Sequence, residues 1–148
     1  MLSNFALNYP NLKVGRFTLA KGETIPIHLH PGQYGMAYLL SGRCELYSYR
    51  LINQAGPVYN LSLPSIQILE KDQHSVLTPT DNAHKIVALE ESCFFDVFAP
   101  GKSDGLLSTY LDIIQQTDQE ITARAIDLSE AKLPKSILEN NCHPIDID

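Results

Sequence analysis

The sequence predicts an all-β fold, a small barrel of short strands, and three observations predict it. Apolar runs of four to eight residues recur through the first hundred positions, bounded by Gly, Pro, Asn and Asp. No long stretch with a 3.6-residue period interrupts them. The run Arg43-Cys-Glu-Leu-Tyr-Ser-Tyr49 alternates in chemistry at period two, as a strand with two unlike faces does.

In chain order, the candidate strands are Val14–Ala20, Thr24–His30, Met36–Leu40, Arg43–Leu51, Ser75–Thr78, His84–Glu90 and Cys93–Ala99. The breaks carry turn chemistry: Pro31-Gly32, Ser41-Gly42, Gly56-Pro57, Asp81-Asn82, Pro100-Gly101 and Asp104-Gly105. Further on, Thr109–Ile114 and Ile121–Leu128 read as strands. Pro134–Asn141 reads as the start of a short helix, since proline is tolerated in a first turn. No internal repeat or low-complexity tract is present.

The 148 residues fit one domain, with a core at about 14–128 and a C-terminal extension over 129–148. A chain of this length buries roughly 68–70% of its unfolded surface and needs no disulfide to fold. Hydrophobic residues at 44% and charged residues at 19% place it with globular proteins rather than disordered ones. A net charge of −6 argues against a phosphate-neutralising surface, so nucleic acid is not an expected partner. Cys44, Cys93 and Cys142 form no CxxC pair, which points to reduced thiols. Neither a signal peptide nor an 18-residue apolar run is apparent. The expectation is a soluble, cytoplasmic protein without a membrane partner.

Two of the five histidines stand at i and i+2 in Ile25-Pro-Ile-His-Leu-His30. On a strand this spacing turns both imidazoles to one face and Leu29 to the other. Alone, the pair reads either as metal ligands or as packed histidines.

Its surroundings resemble the first motif of the cupin superfamily. Gly22 lies six residues before His28, and Gly42 lies twelve after His30. The second cupin motif, a proline five residues before a third histidine, is matched by Pro79 and His84. The resemblance implies a cupin-type barrel, a double-stranded β-helix or jelly roll, with His28, His30 and His84 around one divalent metal. The glutamate that cupins usually place after the HxH pair is replaced by Gly35. Three neutral imidazoles then leave the ion its full charge, which favours an anionic substrate group such as a thiolate. Imidazole suits iron, zinc, copper and nickel alike, so these ligands do not select the metal.

A narrower likeness follows. Ile25-Pro-Ile-His-Leu-His-Pro-Gly-Gln-Tyr-Gly-Met36 is similar to the iron-site segment of cysteamine dioxygenase and the plant cysteine oxidases. Leu77–Ile86 and Phe94-Phe-Asp-Val-Phe-Ala-Pro100 are similar to two further segments of that family, in the same order. The resemblance covers roughly residues 14–110. It implies a mononuclear Fe(II) thiol dioxygenase that converts an aminothiol, or an N-terminal cysteine, to a sulfinic acid with O2. Zinc or nickel could replace iron in purified protein, and no organic cofactor is implied. A homodimer joined through the sheets is compatible with the resemblance. Other metal-dependent cupin chemistry, or a non-catalytic module that binds metal or a small ligand, are the competing expectations.

The chain departs from this family in places. Gln33 replaces a methionine, Gly101-Lys102 replaces Pro-Tyr, and Leu107-Ser-Thr-Tyr110 replaces a Cys-His-Tyr-Tyr-like run. These differences bear on the substrate more than on the metal.

Asp96 lies in an apolar run, where a carboxylate is costly without a partner. It is expected to hold a ligand imidazole or to contact the substrate amine, the alternative being a structural acid. Tyr34, Tyr38 and Tyr110 are read either as pocket residues or as packing. His74, His143, Lys85 and Arg43 are expected at the surface, and Cys44 and Cys93 as small buried hydrophobes.

Overall fold

The computed structural model describes residues 13–99 and 109–134. Strands dominate these residues: β1 (Lys13–Leu19), β2 (Thr24–Leu29), β3 (Tyr34–Ser41), β4 (Arg43–Tyr49), β5 (Leu51–Ala55) and β6 (Val58–Ser62). They continue as β7 (Ser65–Glu70), β8 (His74–Leu77), β9 (Ala83–Ala88), β10 (Ser92–Ala99), β11 (Thr109–Gln116) and β12 (Glu120–Ile126). Among the described residues there is no helix, and so none long and apolar enough to cross a membrane.

The strands form a four-stranded sheet, β1-β10-β3-β8, and an eight-stranded sheet, β5-β6-β12-β11-β2-β9-β4-β7. Side chains from both sheets meet in one core. Leu19, Leu39 and Phe94 come from the small sheet, and Ile25, Leu46, Leu69, Ile86 and Tyr110 from the large one. A second cluster, including Ile27, Leu29, Tyr49, Leu61, Leu111 and Ile121, draws only on the large sheet, which curls enough to bury part of its other face. Ala131 joins the first core and Leu133 packs against it, so the start of the C-terminal extension docks on the barrel.

The strand expectations before residue 50 and after residue 73 match observed elements within a few residues. Arg43–Leu51 is not one strand: it divides at Arg50, whose N–H donates to Ser62 Oγ at 2.8 Å. Strands β6 and β7 had no counterpart in the sequence reading. β7 is the outer strand of its sheet and leaves Ile66 and Ile68 exposed, so burial imposes no alternation on it. The expected helix over residues 134–141 lies outside the described residues apart from Pro134, as do Gly101, Lys102, Cys142 and His143.

Gly42 turns β3 into β4 with φ +93°. A Cβ there would collide with the Glu91 carbonyl and with Ser92, so both backbone angle and space require glycine. Gly42→Ala is expected to destabilise the protein by about 1–3 kcal/mol, read from urea unfolding.

Candidate metal centre

β2 and β9 pair antiparallel, and the register places His28 opposite His84. The ladder shifts between Ile25 and His28. Pro26 lies inside the shift, where its missing N–H does no harm to a ladder. The irregularity leaves both Ile25 in the core and His28 facing the site. His30 follows at the end of β2, and Pro31-Gly32 then reverses the chain. Gly32 has φ +72°, and Gln33 N donates to the His30 carbonyl at 3.2 Å, which makes this a type II turn.

All three histidines are buried, and each offers a nitrogen within 4.8 Å of the others. Ring centroids of His28 and His84 are 4.2 Å apart, those of His28 and His30 5.2 Å, and those of His30 and His84 5.5 Å. His28 Nδ1 donates to the Pro26 carbonyl at 2.8 Å, which leaves the Nε2 lone pair directed at its partners. His84 Nε2 lies 2.6 Å from His28 Nε2. Two bare lone pairs would repel at that distance unless a positive centre lay between them. A cation can be that centre.

Burial lowers the pKa of His28 to about 4, opposed by the bond to Pro26. Burial also holds His84 well below the ordinary value, helped by His28 and His30. The rings of His28 and His84 are therefore neutral at pH 7, the protonation state in which imidazole binds a metal. The donor set fits a divalent transition metal with no carboxylate ligand.

A model of the PCO_ADO family matches residues 7–144. The chain belongs to the PCO_ADO family. Its members are cupin thiol dioxygenases. A curated relative, 2-aminoethanethiol dioxygenase of Homo sapiens, is 28% identical over an alignment of 144 residues. That alignment covers 78% of this chain and 53% of the human protein, so the chain spans about half its relative's length. Peruvianin-I, a cysteine peptidase from Thevetia peruviana latex, has a similar fold. Its TM-score is 0.50 at 16% identity, over 62% of this chain and 54% of that one. An RmlC-like cupin from Shewanella frigidimarina NCIMB 400 gives a TM-score of 0.49 at 17% identity, over 64% and 70%. The barrel is of the cupin type.

In this PCO_ADO chain, Asp96 lies on β10 between Phe94 and Phe98. Its ladder neighbours on either side are Gly15 and Ala37, both small. The residue keeps a partly accessible edge, yet burial pushes its carboxyl up to about 7. The Nδ1–H of His28 goes to the Pro26 carbonyl rather than to Asp96. Tyr110 is buried, and its ring lies 5.3 Å from that of His28.

Tyr34 and Tyr38 are not brought to the imidazoles. They share the face of β3 opposite the buried Ala37 and Leu39. Tyr34 is 61% exposed, and the Tyr38 hydroxyl donates to Asp72 at 2.9 Å at the surface.

Two residues at the site were not singled out from the sequence. Asn82 accepts a hydrogen bond from His30 N and donates from Nδ2 to the Gln33 carbonyl at 3.0 Å. It ties the turn after His30 to the loop that delivers His84. Phe98 stacks on His30 with ring centroids 4.1 Å apart. An asparagine two residues before a motif histidine was the available signal for the first. Nothing in an apolar strand marks the second.

Asn82→Ala strips the buried His30 N–H and Gln33 carbonyl of this partner. A loss of about 1–3 kcal/mol is expected in urea unfolding, with weaker metal retention on dialysis against a chelator.

Acid stability follows from the shifted groups. Below pH 6.5 an unfolded chain protonates its histidines, while folded His28 resists until about pH 4. That stability is complete above about pH 6.5 and lost as pH falls toward 4. Asp96 acts oppositely: its stabilisation is present below about pH 3.8 and lost as pH rises to about 7. In metal-free protein, Asp96→Asn is therefore expected to steepen the loss of stability on acidification across this window, measured by urea unfolding.

Proposed function

We propose that the chain is a mononuclear non-heme Fe(II) thiol dioxygenase whose substrate is an aminothiol, either cysteamine-like or an N-terminal cysteine. The observation that carries this reading is the buried cluster of three imidazoles with Gly35 where a fourth, carboxylate ligand would stand. Fe(II) on His28, His30 and His84 would supply the centre at which thiolate and O2 react side by side. Both oxygen atoms end on sulfur, and the thiol supplies all the electrons. No separate reductant or organic cofactor is needed.

The protein's own groups then have defined tasks. The imidazoles bring no negative charge, so an anionic thiolate is the favoured partner of the ion. Asp96, whose ladder neighbours Gly15 and Ala37 are both small, would receive the substrate amine. An ammonium there would draw its carboxyl back toward the ordinary range and keep it ionised at pH 7. Phe98 and Tyr110 supply apolar surface that keeps water from the imidazoles.

The test is elemental analysis of protein purified without added metal, then oxygen-electrode assays with cysteamine, free cysteine and a peptide bearing N-terminal cysteine. Fe(II)-dependent oxygen uptake is expected, with a product heavier by two oxygen atoms in mass spectrometry. Asp96→Asn should raise KM for the aminothiol by about tenfold with a smaller effect on kcat. Bound metal without sulfinic acid from any of these thiols would overturn the reading and leave a metal-binding cupin.

A further inference from the structure

The loss of the carboxylate at position 35 is more than a deletion, because another side chain fills the space. Gly35 on β3 stands opposite Phe98 on β10 in the ladder. A Cβ built on Gly35 would lie 2.6 Å from both Cδ1 and Cε1 of Phe98 and 3.3 Å from the Val97 carbonyl oxygen. Even alanine therefore requires the ring to move. The ring is not free to do so without consequence. It is buried and lies nearly parallel to the His30 imidazole, with an interplanar angle of 26° and centroids 4.1 Å apart.

We propose that Phe98 is a positioning residue. It occupies the place that a carboxylate ligand from position 35 would need, and its face sets the plane of the His30 ring. The main chain of His30 is tied down by Asn82, through a bond that acts on the backbone and not on the side-chain torsions. Stacking restricts them, and an imidazole held in plane binds a metal without first giving up rotational freedom. Gly35, Phe98 and His30 thus form one chain of contacts: a side chain at 35 displaces 98, and displacing 98 takes the stacking face away from 30. The site is closed to a fourth ligand from this position by packing as well as by composition.

This proposal rests on the metal reading of the three histidines, and the experiment separates the two. Co(II) affinity, by competition with a chelator, and Co(II) visible absorption are measured for wild type and four variants. These are Phe98→Leu, Phe98→Tyr, Gly35→Glu and the double variant Gly35→Glu/Phe98→Ala, each with a melting curve of its metal-free form.

Phe98→Leu preserves apolar volume but lacks the flat face, and should weaken Co(II) binding about tenfold with a near-native melting curve. Phe98→Tyr keeps the ring and should bind like wild type. Gly35→Glu should bind more weakly than wild type although it adds a carboxylate. The double variant should regain at least tenfold over Gly35→Glu and show the absorption of a higher coordination number. Wild-type affinity in Phe98→Leu would overturn the role of Phe98 while leaving the histidine site intact. So would a Gly35→Glu protein that binds tighter than wild type with an altered spectrum. Should Gly35→Glu fail to fold, the comparison of Phe98→Leu with Phe98→Tyr decides alone. A wild-type protein that binds no Co(II) would instead overturn the metal reading itself.

Discussion

His28 and His84 are 56 residues apart in the chain and face each other across the β2–β9 ladder, their Nε2 atoms 2.6 Å apart. The site depends on that register. Side chains alternate with period two, so a slip of one residue would turn His84 to the far face of the sheet. The irregularity at Pro26 fixes the local phase of β2, and burial on β9 fixes the other side: Ala83, His84, Ile86 and Ala88 are all buried. The metal centre is thus set by the same burial pattern that holds the barrel together.

Burial also decides the chemistry. Imidazoles in the open would be half protonated near pH 6.5 and would admit a metal only above it. Buried among the other site residues, His28 and His84 remain neutral into the acid range, with His28 at about 4. Asp96 answers to the same physics in reverse, since burial raises its carboxyl to about 7 and removes its charge at little cost. An aminothiol that enters with a positive amine would restore that charge. On the proposed reading the interior starts without a strongly held anion and would accept one thiolate at the metal and one ammonium at the carboxyl.

Much of this was legible in the sequence because it is local. The HxH spacing, the proline five residues ahead of His84 and the Gly42 turn lie within short windows, and the strand breaks have their own turn chemistry. What was not legible depends on partners far along the chain. Asn82 reads as a turn residue until its acceptor role toward His30, 52 positions away, is seen. Tyr34 and Tyr38 flank the histidine motif, yet the phase of β3 turns them outward. β7 lacks a periodic signal for a related reason. β7 exposes all but one of its residues, so no solvent boundary writes a pattern into it.

The inner face of β10 shows how one strand divides these tasks. Phe94, Asp96 and Phe98 alternate along it, and small residues answer from the neighbouring strands. Gly15 and Ala37 flank Asp96, and Gly35 stands opposite Phe98. A close-packed interior has no spare volume, so small residues opposite one another create space only where no large side chain fills it. Phe98 fills the space beside Gly35 and lies against His30. Asp96 is half-buried between its small flanking residues, and burial raises its carboxyl pKa. The same arrangement of small residues thus meets a large side chain at Phe98, which shuts out a protein carboxylate, and a carboxyl at Asp96. Whether position 35 behaves as a missing ligand or as part of the wall is therefore decided by Phe98, a residue from another strand.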